Sequence, residues 1–114
     1  MNYKEQRPWG QFENILDTPY CKVKQITIHP GQAPSYQYHY KRSEVYIIVQ
    51  GKAAIMLDDI EKEYNVGDTI VVPVLTKHRV TNIGNEDLIF IEVQHGEYFG
   101  EDDIVRINDS YGRI

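Results

Sequence analysis

The sequence predicts a single all-β domain, a sandwich or a barrel, on three observations. Its apolar residues recur mostly with the period of two that a strand imposes. They fall into segments of five to eight residues separated by Gly, Pro and Asn turns. No stretch carries the pattern of a long helix.

The first clear strand begins near Tyr20 and closes at Thr27-Ile28-His29-Pro30-Gly31. Glu44–Gln50 is rich in β-branched and aromatic residues and stops at Gly51. Lys52–Leu57 follows at once, which reads as strand, tight turn and strand. Thr69–Pro73 is a short apolar run after a Val66-Gly67-Asp68 turn. His78–Ile83 and Leu88–Val93 are further strands, split by the turn Gly84-Asn85-Glu86. Asp58–Tyr64 is too polar and too short for a helix. The core is expected over residues 20–95, with a strand segment at 7–19 before it. Residues 96–114, polar and aromatic, read as a C-terminal flap or extension. No linker, repeat or low-complexity tract interrupts the chain.

A chain of 114 residues fits one domain. A domain of this size buries about two-thirds of its unfolded surface and needs no disulfide. The one cysteine, Cys21, has no partner in the chain and reads as a small hydrophobe in a strand. The N-terminal residues form no apolar signal segment, and no apolar run approaches the ~20 residues of a membrane span, so a cytoplasmic location is expected. The net charge of −5 argues against a nucleic-acid partner. A small phosphorylated ligand, held by a few converging Arg or Lys side chains, stays compatible with it. Nine tyrosines against three phenylalanines suit barrel packing with hydroxyls at the rim, and equally a polar, sugar-sized cavity.

Gln37, His39 and Glu44 lie close together in the chain. Gln37 and His39 are two apart, so a strand turns them to one face. Glu44 opens the next strand after Tyr40-Lys41-Arg42-Ser43, and His78 starts a later one after the Pro73–Lys77 turn. Imidazole nitrogen with carboxylate and amide oxygen suits zinc, manganese, iron, cobalt or nickel. Four protein ligands on an octahedral ion leave coordination positions open, as a catalytic metal needs. His29 and His95 fall outside the pattern and read as turn or surface residues.

With Gly31 and Gly51, the set Gln37, His39 and Glu44 resembles the first motif of the cupins. Gly67, Pro73, His78 and Asn82 resemble the second. The resemblance implies a cupin, a double-stranded β-helix or jelly-roll barrel. Gln37 stands where many cupins have histidine. Leu75 stands where many have glycine, which bears on the local turn. A narrower resemblance rests on Arg7-Pro8-Trp9-Gly10, Ser35 to His39, Arg42-Ser43-Glu44, Glu92 to Gly96, Tyr98 to Arg106, and Asp109 to Arg113. These segments look like the C-terminal domain of type II mannose-6-phosphate isomerase, in which a mannose-1-phosphate guanylyltransferase domain usually precedes the cupin. The chain departs from that family at Val45-Tyr46, where His-Trp is frequent, and at Tyr38, Tyr40 and Lys41, in place of a histidine-rich stretch.

What the resemblance implies is a metal-dependent isomerase of mannose 6-phosphate and fructose 6-phosphate. Its one divalent ion, zinc first, would sit on Gln37, His39, Glu44 and His78. Alternation supplies the acid–base candidates. Lys24 shares a face with Ile26 and Ile28, and Glu92 with Leu88 and Phe90; the same rule turns Tyr46, Ile48, Gln50, Val80 and Asn82 inward. Arg106 and Arg113, then Arg7 and Arg42, are the expected phosphate contacts. Alternatively, Arg7 and Arg113 clamp the termini by pairing with Glu101, Asp102 or Asp103. The competing functions are a sugar-binding cupin without catalysis and another metal-dependent cupin enzyme, a nucleotide-sugar isomerase or a dioxygenase. A structural scaffold is a further alternative. A homodimer is expected, with a separate guanylyltransferase chain as a further partner.

Overall fold

In a computed structural model describing residues 3–112, the chain forms eleven strands and no helix among the described residues. They are β1 (Tyr3–Arg7), β2 (Gly10–Asp17), β3 (Lys22–Ile28), β4 (Tyr36–Tyr38), β5 (Arg42–Gln50), β6 (Ala53–Leu57), β7 (Ile60–Tyr64), β8 (Thr69–Val72), β9 (His78–Asn82), β10 (Leu88–Gly96) and β11 (Val105–Asn108). Six make one sheet in the order β1-β2-β3-β10-β5-β8, and five make the other in the order β11-β4-β9-β6-β7. Both sheets are antiparallel throughout. This is the all-β double-stranded β-helix that the motifs implied.

Alternation sets the interior. On β5, Glu44, Tyr46 and Ile48 are buried while Ile47 and Val49 face out. On β10, Leu88, Phe90, Glu92 and Gln94 are buried, and on β3, Lys22, Lys24, Ile26 and Ile28. The apolar members meet Ile55 and Val80 of the other sheet to form one core. The polar members lie beyond it, toward one end. A polar end is therefore built by the same period that builds the core.

Two differences from the expected elements bear on the site and the sheet edge. The strand expected to open at Glu44 opens at Arg42, which brings the guanidinium onto the inward face two residues before Glu44. Asp58–Tyr64 holds a hairpin. Asp58 and Asp59 both take positive φ, 45° and 71°, in a two-residue loop closed by the pair Leu57 and Ile60. That is the backbone of the turns that match strand twist, and aspartate tolerates it. The strand β7 that follows is an exposed sheet edge whose charges discourage pairing with another chain.

Gly10 answers a close approach. A Cβ there would lie 2.0 Å from the Thr27 carbonyl oxygen, at φ 155°. Only glycine lets the Arg7-Pro8-Trp9-Gly10 turn lie flat on β3.

Leu75 keeps the glycine-type backbone without the glycine. The Thr76 N–H donates to the Pro73 carbonyl at 3.1 Å, and Leu75, at the third position of that turn, has φ 68°. Its own N–H donates to the carbonyl of His39 at 2.9 Å, so the turn braces a candidate ligand. A left-handed leucine costs roughly 1–2 kcal/mol, partly offset by the greater chain entropy of glycine. Leu75→Gly is expected to raise stability by about 0.5–1 kcal/mol, read as a higher urea midpoint. A lower midpoint would mean that the exposed leucine packs more than its exposure suggests.

Candidate metal centre

Three strands, β4, β5 and β9, position the expected ligands. Gln37 lies on β4, directly opposite His78 at the start of β9. His39 follows β4, and Glu44 is on β5. Within the described residues, His39, Glu44 and His78 offer ligand atoms that all lie within 4.8 Å of one another. His39 Nε2 is 3.4 Å from Glu44 Oε2, and His78 Nε2 is 3.5 Å from Glu44 Oε1. The three residues are 2%, 1% and 3% exposed in the order His39, Glu44, His78, so water does not compete for them.

The chemistry of this donor set fits a divalent ion. The Nδ1–H of His39 donates to the Asp103 carbonyl at 2.6 Å, and that of His78 to the Thr76 carbonyl at 2.9 Å. Each bond selects the tautomer that leaves Nε2 as the lone-pair donor. His78 Nε2 is buried and has no hydrogen-bond partner among the described residues. Burial pushes His39 down to about 4, against the pull of Glu44 and with help from Arg42, so the ring is neutral at pH 7, the form that ligates a metal. For Glu44, burial pushes up, but His78, Arg42 and His39, with the Tyr46 hydroxyl, outweigh it and bring the carboxyl to about 2. Gln37 is oriented by the Ser35 hydroxyl, which donates to its Oε1 at 2.7 Å.

Arg42, an expected phosphate contact, lines a cavity beside the cluster and binds the Glu44 carboxylate. Its Nε donates to Glu44 Oε2 at 2.8 Å, and its Nη2 lies 3.3 Å from His39 Nε2. The reason is the early start of β5, which puts Arg42 and Glu44 on one face. The guanidinium therefore shares lone pairs with any cation bound on that side of Glu44. The other side, Oε1 with His78 Nε2, is clear of it.

A cavity of about 100 Å³ adjoins this cluster, and both acid–base candidates line it. Lys24 is 3% exposed and bound to Glu101, Nζ to Oε2, at 2.7 Å. Glu92 is buried and accepts from the Gln94 amide at 2.6 Å. Burial, then repulsion from Glu44, raises its carboxyl to about 7 against Lys24 and Arg42. It is thus poised to exchange a proton near neutrality.

Arg106 lines the cavity from β11, opposite Gln37 in register. Arg7 lines it too, ion-paired to Glu5 and 5.4 Å from the Phe12 ring. Arg113 lies outside the described residues. The expected clamp of the tail exists with other partners. Lys24 and Lys22, not Arg7, hold Glu101, and the Asp103 carboxylate accepts the N–H groups of Tyr40 and Lys41 at 3.0 and 2.9 Å. Lysines two apart on the inward face of β3 reach the Glu101 carboxylate directly, while Arg7 pairs with Glu5. Sequence reasoning missed Arg79, which lines the cavity beside His78, and the contribution of Asp103. The neighbour of a ligand on a short strand was the available signal for Arg79. Asp103 offered none, since its carbonyl acts across 64 residues. His29 and His95 are exposed, as expected.

Residues 1–109 match the family model described as mannose-6-phosphate isomerase C-terminal. A mannose-1-phosphate guanylyltransferase of Salmonella montevideo is 44% identical over 94% of this chain and 23% of its own length. The alginate biosynthesis protein AlgA of Pseudomonas aeruginosa is 40% identical over 94% of this chain and 22% of its own. The Escherichia coli K12 mannose-1-phosphate guanylyltransferase is 38% identical over 95% of this chain and 23% of its own. The chain thus spans less than a quarter of the length of these relatives. Among solved structures, the capsular polysaccharide assembling protein CapF of Staphylococcus aureus superposes with a TM-score of 0.80 at 24% identity, over 95% of this chain and 34% of that one. Oxalate decarboxylase of Bacillus subtilis gives 0.83 at 15% identity, over 93% and 30%. At such identities the superpositions speak for the fold alone.

These relatives correct the expected function. Those of Salmonella montevideo and Escherichia coli are named as enzymes of guanylyl transfer to mannose 1-phosphate, which is not an isomerisation, so the expected interconversion of mannose 6-phosphate and fructose 6-phosphate does not stand. The alternatives, a sugar-binding cupin without catalysis or another metal-dependent cupin enzyme, fare no better against the same names. Among the described residues, no helix is long and apolar enough to cross a membrane.

Proposed function

Because this chain belongs to the mannose-6-phosphate isomerase C-terminal family, we propose that it is the metal-bearing domain of a mannose-1-phosphate guanylyltransferase and takes a mannose phosphate into its cavity. The observation that carries this reading is the buried meeting of His39, Glu44 and His78 beside a cavity lined by Lys24, Arg7 and Arg106. Gln37, His39, Glu44 and His78 hold the ion, and two imidazoles with two oxygen donors favour zinc. Such an ion, when bound, supplies Lewis-acid charge to a ligand oxygen. The cationic side chains draw in and orient the phosphate. Glu92 exchanges a proton with a ligand hydroxyl. A guanylyltransferase domain is the working partner.

The test begins with metal. Chelator-stripped protein is titrated with zinc, manganese and cobalt by calorimetry, followed by mannose 1-phosphate. One equivalent of metal is expected, with His39→Ala weakening uptake by about 100-fold or more. Mannose 1-phosphate is expected to bind the loaded protein at least about tenfold more tightly than the stripped one. Equal metal uptake by wild type and His39→Ala would overturn the site. Metal uptake without any affinity for mannose 1-phosphate would overturn the ligand.

A further inference from the structure

Two lysines are buried side by side where the core ends. Lys22 and Lys24 both point inward from β3, at 7% and 3% exposure. Buried like charges are costly unless an anion meets them. Here a single carboxylate oxygen serves both, since Glu101 Oε2 lies 2.7 Å from Lys24 Nζ and 3.5 Å from Lys22 Nζ. The Phe12 ring supports the Lys24 ammonium from 4.1 Å, and Asp17 is 3.9 Å from Lys22. Partial burial works against ionisation of Glu101, but Lys24, with Arg42 and Lys22, holds its carboxyl below the usual range.

The partners differ in one respect. The lysine side chains are 9% and 4% exposed, whereas that of Glu101 is 43% exposed. The cations are fixed in the sheet, and the anion reaches them from the solvent side, from a turn next to Gly100. Two residues on, Asp103 is held separately by the N–H groups of Tyr40 and Lys41. Glu101 can therefore leave without releasing the segment that orients His39. Without Glu101, Lys24 keeps only its cross-strand neighbour Glu92 as an anionic partner, so an arriving anion takes the place of Glu101.

We infer that Lys22 and Lys24 are the seat for a phosphate monoester, and that Glu101 is an exchangeable internal anion occupying that seat. A phosphate brings more charge and more oxygens to two ammonium groups than one carboxylate does, so exchange favours it. A neutral sugar has nothing to offer in return, and Glu101 then acts as a filter for phosphorylated ligands. This adds the β3 lysines to the arginines as phosphate contacts, with Lys24 and Glu101 lining the cavity and Lys22 beside them. The inference deepens the reading of the cavity as a mannose phosphate site and rests on it.

The experiment titrates the intact chain with inorganic phosphate, with mannose 1-phosphate and with mannose. Glu101→Gln keeps the shape and removes the competing charge. It is expected to bind inorganic phosphate about tenfold more tightly than wild type, the scale of one charge-assisted hydrogen bond. Lys24→Met/Glu101→Gln removes both members of the 2.7 Å pair, leaves Lys22 its ion pair with Asp17, and is expected to lose phosphate binding. Mannose should bind neither form measurably. Unchanged or weaker phosphate binding by Glu101→Gln would overturn the exchange, and phosphate binding retained in the double variant would overturn the seat. Metal uptake, measured alongside, separates the two readings. Protein that takes up no metal fails the proposed function, whereas protein that takes up metal but shows no Glu101 effect fails this inference alone.

Discussion

Replacing Glu44 with alanine is expected to lower folding stability by about 3–5 kcal/mol and to abolish metal uptake. Glu44 is 1% exposed and is the hub of the polar end. It accepts from Arg42 at 2.8 Å and from the Tyr46 hydroxyl at 2.6 Å, and it faces both histidines. Burial together with Glu44 raises the Tyr46 hydroxyl well above its ordinary range, so it donates throughout the useful pH span. Alanine leaves the Arg42 guanidinium buried without its carboxylate, and that orphaned charge is the larger part of the loss. Urea denaturation of metal-free protein measures it. The double variant Arg42→Met/Glu44→Met should recover most of the stability but none of the metal binding. A Glu44→Ala loss below about 1 kcal/mol would place the pair among weak surface-type ion pairs and refute the argument.

Glu92→Gln is expected to stabilise the protein at pH 8 and to leave it unchanged at pH 4. The Glu92 carboxyl rises from 4.5 to about 7 through burial and the nearby Glu44, against Lys24, Arg42 and the Gln94 amide. Between those values the folded chain keeps a proton that the unfolded chain has lost. Stability is thus full below the unfolded pKa, falls as pH rises, and is lost once pH passes the folded value. The shift corresponds to about 3 kcal/mol. Glutamine carries no titrating proton and escapes the loss. Melting temperatures of both proteins at pH 4 and pH 8 test this, and a difference that is the same at both pH values would show that the Glu92 pKa does not change on folding.

Alternation made most of the interior legible in the sequence. It placed Glu44 with Tyr46 and Ile48, Lys24 with Ile26, and Glu92 with Phe90, and all of these are buried as expected. The motif spacing likewise foretold that His39, Glu44 and His78 would converge. What stayed hidden has identifiable causes. β7 is polar because it is an edge, so it lacks the apolar signal by which strands are found. β4 and β11 are too short to show a period. Arg42 follows the same alternation as Glu44, but its polar neighbours Tyr40, Lys41 and Ser43 carry the signature of a connector although the strand has already begun. The partners of Glu101 and Asp103 could not be read at all, because they lie across the barrel.

That last feature bears on the order of events during folding. The imidazole of His39 is oriented by a carbonyl 64 residues further along the chain. Strands β3 and β10, whose pairing closes the wall of the cavity, are equally remote in sequence. Closing such loops costs entropy before any contact repays it, and chains dominated by distant pairings fold slowly. The gathering of His39, Glu44 and His78 is therefore expected late in folding. Ligands that are not yet gathered cannot hold an ion, so an ion bound there would retard unfolding and leave the speed of folding to the bare chain.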